Sequence, residues 1–166
     1  MRKILLATLT AGVMSAGVAN ALTTNANFNV TATVQATCSA TAAALAFGAY
    51  TPGAGALAGS SNISVRCTKN TPYTVALNAG STTGGALAQR LMASGVNTLQ
   101  YNLYTTVAAT TIFGDGTAST GTIPGTGAGV ATANTVTVFG QLPDSAANQA
   151  AVPGSYSDTI TVTVTY

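Results

Sequence analysis

Asn25-Ala26-Asn27-Phe28-Asn29-Val30-Thr31-Ala32-Thr33-Val34-Gln35-Ala36 puts Phe28, Val30, Ala32 and Val34 on one side of an extended chain and Asn27, Asn29, Thr31 and Thr33 on the other. A period of two is the mark of a β-strand with one apolar face. The stretch lies just before the first cysteine, Cys38, and just after what reads as a cleavage site, so it is expected to be the N-terminal arm of the mature chain. Its apolar face either folds back as the first strand of its own sandwich or fills the core of another molecule. The alternation alone favours the first.

The chain begins with Arg2 and Lys3, continues with an apolar run from Ile4 to about Val18, and closes on Ala19-Asn20-Ala21. This is the pattern of a secretory signal peptide, residues 1–21, cleaved after Ala21. Thr8, Thr10, Gly12 and Ser15 interrupt the run, which falls short of the roughly 20 residues that span a bilayer. Once the leader is removed, Arg66, Lys69 and Arg90 stand against Asp115, Asp144 and Asp158. A nearly neutral chain lacks the basic footprint for nucleic acid and the polybasic cluster that holds an anionic membrane. Low net charge also favours self-association.

Only 5% of residues are charged, and the Glu/Lys/Arg/Leu patterns of amphipathic helices are absent. Short Val/Ile/Thr/Tyr runs are separated by Gly, Pro, Asn and Ser instead, which is an all-β sandwich pattern. Strands are expected at Phe28–Cys38, Ala44–Phe47, Ser61–Cys67, Tyr73–Asn78, Leu99–Tyr104, Thr110–Phe113, Thr135–Gln141 and Tyr156–Tyr166. Alternation turns Ile63, Val65 and Cys67 inward, with Tyr73, Val75 and Leu77, Leu99, Tyr101 and Leu103, and Val136 and Val138. In the last strand Ile160, Val162, Val164 and Tyr166 share one face and Thr159, Thr161, Thr163 and Thr165 the other.

Cys38 and Cys67 are the whole cysteine inventory of an exported chain, so one intramolecular disulfide is expected. Closing a loop of about 30 residues stabilises by roughly 3.5 kcal/mol in the chain-entropy account. Two sulfurs without a histidine do not complete a zinc site, and no cofactor is expected. There is no His and no Glu, which removes the usual general base and the Ser-His-Asp arrangement, so the chain is not expected to be an enzyme. Gly114-Asp115-Gly116 lacks the spaced carboxylates of a calcium loop and reads as an Asp-Gly turn.

Gly154-Ser155-Tyr156 with Asp158 is similar to the tyrosine that opens a late strand of immunoglobulin-like sandwiches and bonds back to nearby backbone. Such a sandwich is expected to continue with another strand, whereas this sequence stops at Tyr166. On that topology the sheet is an incomplete immunoglobulin-like β-sandwich with an apolar groove.

The ordered set formed by the arm before Cys38, Leu45-Ala46-Phe47-Gly48-Ala49-Tyr50, Ile63-Ser64-Val65-Arg66-Cys67, Pro72-Tyr73-Thr74-Val75, Leu99-Gln100-Tyr101-Asn102-Leu103-Tyr104, Val136-Thr137-Val138-Phe139-Gly140 and Gly154-Ser155-Tyr156-Ser157-Asp158-Thr159 resembles the spore coat protein U domain family. That family includes the major subunits of archaic chaperone–usher pili. The resemblance covers essentially the whole mature chain and implies a sandwich completed by donor-strand complementation, first from a periplasmic chaperone and then from the arm of the next subunit. Carried over, Phe28, Val30, Ala32 and Val34 of the arm, residues 22–36, form the donor face. Ile160, Val162, Val164 and Tyr166, at the end of the domain of residues 37–166, form the acceptor-groove and chaperone-binding strand. The implied partners are identical or related subunits, the chaperone and an outer-membrane usher, with the product on the cell surface supporting adhesion or biofilm formation. A secreted spore-coat or matrix protein of the same fold is one alternative. A carbohydrate-binding tip adhesin is another, although the chain has no Trp and few aromatic residues to stack on a sugar.

Overall fold

The computed structural model describes residues 20–166, so the expected leader, apart from Asn20 and Ala21, lies outside the described residues. The chain divides into two units, Met1–Thr33 and Val34–Tyr166. Within the first, residues 20–33 form no helix or strand, and Leu22, Phe28 and Val30 are exposed. The second unit carries all the regular structure among the described residues. Its strands are β1 (Cys38–Ala42), β2 (Leu57–Cys67), β3 (Pro72–Leu77), β4 (Arg90–Ser94), β5 (Asn97–Tyr104), β6 (Ile123–Thr126), β7 (Asn134–Leu142) and β8 (Val162–Thr165), with one helical turn, α1 (Ala146–Gln149). No helix among the described residues is long and apolar enough to cross a membrane.

The strands form a sandwich of two antiparallel sheets. One has the order β1-β2-β7-β5-β4 and the other β6-β3-β8. Ile63, Val65, Val136 and Val138 from β2 and β7, Leu103 from β5, and Tyr73, Val75 and Leu77 from β3 are buried together between them. The inward faces are those the alternation assigns, because one register places every apolar residue of a strand on the same side. Cys38 and Cys67 are directly opposed in the β1–β2 ladder and disulfide-bonded. The Thr68 hydroxyl accepts from the Thr37 amide at 2.8 Å and donates to the Thr37 carbonyl at 3.1 Å, fixing the start of β1.

The elements differ from expectation in several places. Of Phe28–Cys38 only Cys38 belongs to a strand, since residues 20–37 have no ladder partner among the described residues. Ala44–Phe47 is not a strand, because after Ala43 the chain leaves β2 and turns Leu45 and Phe47 onto the sheet's inner face. Thr110–Phe113 makes only isolated bridges, through Ile112 to Tyr104 and Phe113 to Gly121. The ladder of the last strand is confined to Val162–Thr165. β4 escapes a search for apolar alternation because its first inward residue is Arg90, and β6 because its sequence, Ile-Pro-Gly-Thr, reads as a loop. Gly125 in β6 lies under the Tyr73 ring, where any side chain would collide with it.

α1 interrupts the connection from β7 to β8 for a structural reason. Ser145 caps it, accepting from the Asn148 amide at 3.3 Å. Asn148 is buried, and its amide acts as a substitute strand: Oδ1 accepts from the Gln100 N–H at 2.7 Å, and Nδ2 donates to the carbonyls of Gln100 at 2.9 Å and Pro143 at 2.7 Å. The β5–β7 ladder covers only Asn102–Tyr104, so Asn148 satisfies backbone beyond its reach. Asn148→Ala leaves these groups unpaired and is expected to lower unfolding stability by about 2–3 kcal/mol, measured as a shifted urea midpoint at unchanged slope.

Candidate functional site: an apolar groove between two edge strands

β1 and β8 are edge strands of opposite sheets and lie side by side at one flank of the sandwich. Cross-strand partners point to the same face, so Ala40 and Ala42 face inward with Val65 and Ile63. Val65 and Ile63 are buried, yet Ala40 and Ala42 are exposed. Among the described residues no strand covers them, and a methyl group is too small to reach the opposite sheet. From Ala42 onward this flank opens into an apolar groove of about 500 Å³. Ile63, Leu77 and Val138 form its floor, Ala42 to Ala44 one wall, and Ile160 and Val162 the other.

Of the four residues expected on the acceptor strand, Ile160 and Val162 line the groove. Val164 packs on the core opposite Val75, away from the groove lining. Tyr166 is 58% exposed and stands outside the lining. Phe28, Val30 and Val34 are more than four-fifths exposed, and Ala32 is exposed as well. Sequence reading did not assign Met92, Tyr101, Leu45 and Phe47 to the groove. For Leu45 and Phe47 the signal was present as alternation, but they face inward without being part of a ladder.

The far end of the groove is closed by the chain crossing between sheets. Ser157 exchanges backbone hydrogen bonds with Ala93 of β4, at 2.9 and 3.0 Å. Four residues later, Thr161 accepts from the Asn78 amide at 3.2 Å, and its own amide donates to Asn78 Oδ1 at 2.8 Å. Asp158 pins the crossing. Its Oδ1 accepts from the amides and hydroxyls of Ser81 and Thr82 at 2.9–3.0 Å, and its Oδ2 accepts from the Tyr101 hydroxyl at 2.6 Å. Gly80, at φ +94°, has no side chain because a Cβ would collide with this carboxylate. Tyr156 donates to the Val152 carbonyl at 2.6 Å, the back-bond its position implied.

Behind Tyr101, Arg90 is fully buried. Its guanidinium donates to the Asn78 carbonyl at 3.0 and 2.7 Å, to Asn102 Oδ1 at 2.7 Å and to the Phe113 carbonyl at 2.7 Å. Burial pushes its pKa down, while Tyr101, Asp158 and Asp115 act in the opposite direction. Arginine stays charged across the accessible range, so Arg90 is a permanent cation held by neutral acceptors. Among the described residues no cluster of His, Cys, Asp or Glu could hold a metal. The site offers apolar surface and strand edges at the rims of both sheets.

The sequence model of the Spore Coat Protein U domain matches residues 24–163, most of the chain. The chain belongs to the Spore Coat Protein U domain family. Its structure is also similar to a chain of the crystal structure of the CsuC–CsuE chaperone–tip adhesion subunit pre-assembly complex from archaic chaperone–usher Csu pili of Acinetobacter baumannii. The likeness has a TM-score of 0.55 and 26% identity, covering 81% of this chain and 41% of that one. This chain thus spans about two fifths of its neighbour's length. No curated protein matches it. The spore coat protein U domain described here is accordingly an immunoglobulin-like β-sandwich, open between β1 and β8.

Burial raises the Asp158 carboxyl pKa, but the hydrogen bonds from Tyr101, Thr82 and Ser81 outweigh this and hold it below the usual carboxylate value. Asp144 is lowered too, by the Tyr50 hydroxyl and the Gly53 amide, and Asp115 by Thr117. A carboxyl with a depressed folded-state pKa contributes stability that is fully present above its unfolded value and lost as pH falls through the folded one. Stability is therefore expected to be flat near neutrality and to fall below about pH 4. Asp158→Asn should flatten the acid slope, as read from urea midpoints between neutral and acid pH.

Proposed function

We propose that this protein is a structural subunit of an extracellular pilus, exported to the periplasm, held there by a chaperone, and polymerised at an outer-membrane usher by donor-strand exchange. The observation that carries the reading is the groove between β1 and β8, whose lining Ala42 and half-buried Ile160 and Val162 have no covering strand among the described residues. The arm supports it from the other side, since its apolar face of Phe28, Val30, Ala32 and Val34 is exposed. Adding that strand to an open edge would bury both faces and pair the exposed backbone. Membership of the Spore Coat Protein U domain family and likeness to a chain from a chaperone–subunit complex are in keeping with a chaperone partner. The intended product is a homopolymer that lies outside the cell and supports adhesion or biofilm formation.

The likeness to a complex containing a tip adhesion subunit favours a second reading, in which the chain acts at the filament tip. Labelling by antibody distinguishes the two: a shaft subunit marks the whole filament and a tip subunit marks one end.

Deletion of Leu22–Val30 is the decisive experiment. The domain from Val34 onward keeps its whole core, so the truncated subunit is expected to accumulate with its chaperone while filaments disappear. Filaments formed at the normal level by the truncated protein would overturn donor-strand exchange through this arm. In the truncated chain, a graft of Asn25–Ala36 after Tyr166, through a flexible linker long enough to span the domain, should give a soluble monomer with a large gain in thermal stability and no polymerisation.

A further inference from the structure

Leu45 and Phe47 both line the groove. β2 and β7 oppose Gly59 to Gly140, and β5 opposes Leu103 to the same Gly140, so these three residues form one row across the five-stranded sheet. A glycine in mid-strand is unfavourable unless something approaches closely. Here Leu45 and Phe47 do. A Cβ on Gly140 would come within 2.9 Å of both Leu45 methyls and of the Phe47 ring, and one on Gly59 within 3.2 Å of a Leu45 methyl. Phe47 also meets Tyr101 edge to face, with ring centroids 6.1 Å apart. The two side chains thus form a ridge on the inner face, seated on a glycine pair.

The ridge lies partway along the groove. Ile63 lies four residues from Gly59 along β2 towards the disulfide end, and Leu99, which pairs with Met92, lies four residues from Leu103 towards the opposite end. Ile63 and Met92 both line the groove. A strand laid along it therefore passes Ile63, then the ridge, then Met92. The arm has a matching sequence of sizes. Ala32 is the small residue of its apolar face, with Val30 on one side and Val34 on the other.

We propose that Leu45 and Phe47 set the register of strand insertion: the arm of a second copy of this chain docks with Ala32 over the Leu45–Phe47 ridge and its valines on either side. This rests on the donor-strand reading and adds to it the residues that choose one register. A slip of one residue would turn the polar face inward, and a slip of two would press a valine onto the ridge.

The test uses the full chain exported in its native host, with filaments and soluble disulfide-bonded subunit measured separately. Ala32→Leu should lower filament yield at least about tenfold, the equilibrium counterpart of an overpacked contact, and leave soluble subunit unchanged. Adding Phe47→Ala should bring the filaments back. The reciprocal pair covers the case in which Phe47→Ala itself lowers soluble subunit: Gly140→Ala pushes the ridge outward and should reduce filaments, and Ala32→Gly should restore them. Normal assembly of Ala32→Leu in an otherwise unaltered chain overturns the proposal, as does a loss that neither compensating change reverses. If the arm were not the donor, its deletion would leave filaments intact and every Ala32 variant would be silent, an outcome distinct from failure of the register alone.

Discussion

β1 and β8 face each other across a gap that neither can close. Their inward side chains are too few and, in β1, too small, so Ala40 and Ala42 remain exposed above a floor that is itself buried. Burying a Val or Phe side chain is worth roughly 1.5–3 kcal/mol, and an added strand brings a ladder of backbone hydrogen bonds as well. The groove therefore holds burial that the fold on its own does not realise. An unpaired edge beside an apolar cleft is an aggregation hazard in an ordinary protein. On the proposed reading it is the means of assembly, and the chaperone is what keeps the hazard from being expressed.

A gap is useful only if its walls stay in place. The Cys38–Cys67 bond and the Thr37–Thr68 pair fasten the first wall where β1 starts. The second wall is the crossing segment before β8, fastened by Ser157 to β4, by Thr161 to Asn78 and by Asp158 to Ser81, Thr82 and Tyr101. Arg90 ties the floor behind it, reaching Asn78, Asn102 and Phe113 from one guanidinium. A buried cation is costly unless every N–H is engaged, and its fork of donors spans several loops that apolar contacts alone would leave mobile. Polar networks thus do the work that a further strand would do in a closed sandwich.

Much of this architecture is legible in the residues. Ile63/Val65/Cys67, Tyr73/Val75/Leu77 and Val136/Val138 alternate cleanly because each lies on a strand with one buried face, and the inward side follows from that alone. β4 and β6 are not legible. Arg90 is inward and charged, which inverts the hydrophobic signal, and Pro124-Gly125 is strand only because Tyr73 needs a flat neighbour. Leu45 and Phe47 read as a strand for the same reason the true strands do, since alternation records which side is apolar and not whether a ladder partner exists. The groove itself is visible in outline, through the apolar face of Ile160 and Val162. Its middle is not, because the pairing of Gly59 with Gly140 is a matter of register between residues far apart in sequence.

The charged groups bear on what kind of recognition the surface permits. Asp115 accepts from Thr117, Asp144 from Tyr50, Gly53 and Gly55, and Asp158 from its clasp, while Arg66 is engaged with the carbonyls of Val130 and Ala131 and Arg90 is buried. Nearly every formal charge of the described domain is committed to holding a loop. Long-range steering between copies is then weak, and so is repulsion between them, because both need uncommitted surface charge. On the proposed reading, selectivity for one strand in one register must come from shape at short range. A cleft of alanines, valines and isoleucines would accept many apolar strands. On the proposal, a ridge within that cleft gives it a feature against which wrong sizes clash, and the glycine pair beneath Leu45 and Phe47 then supplies discrimination that charge does not provide.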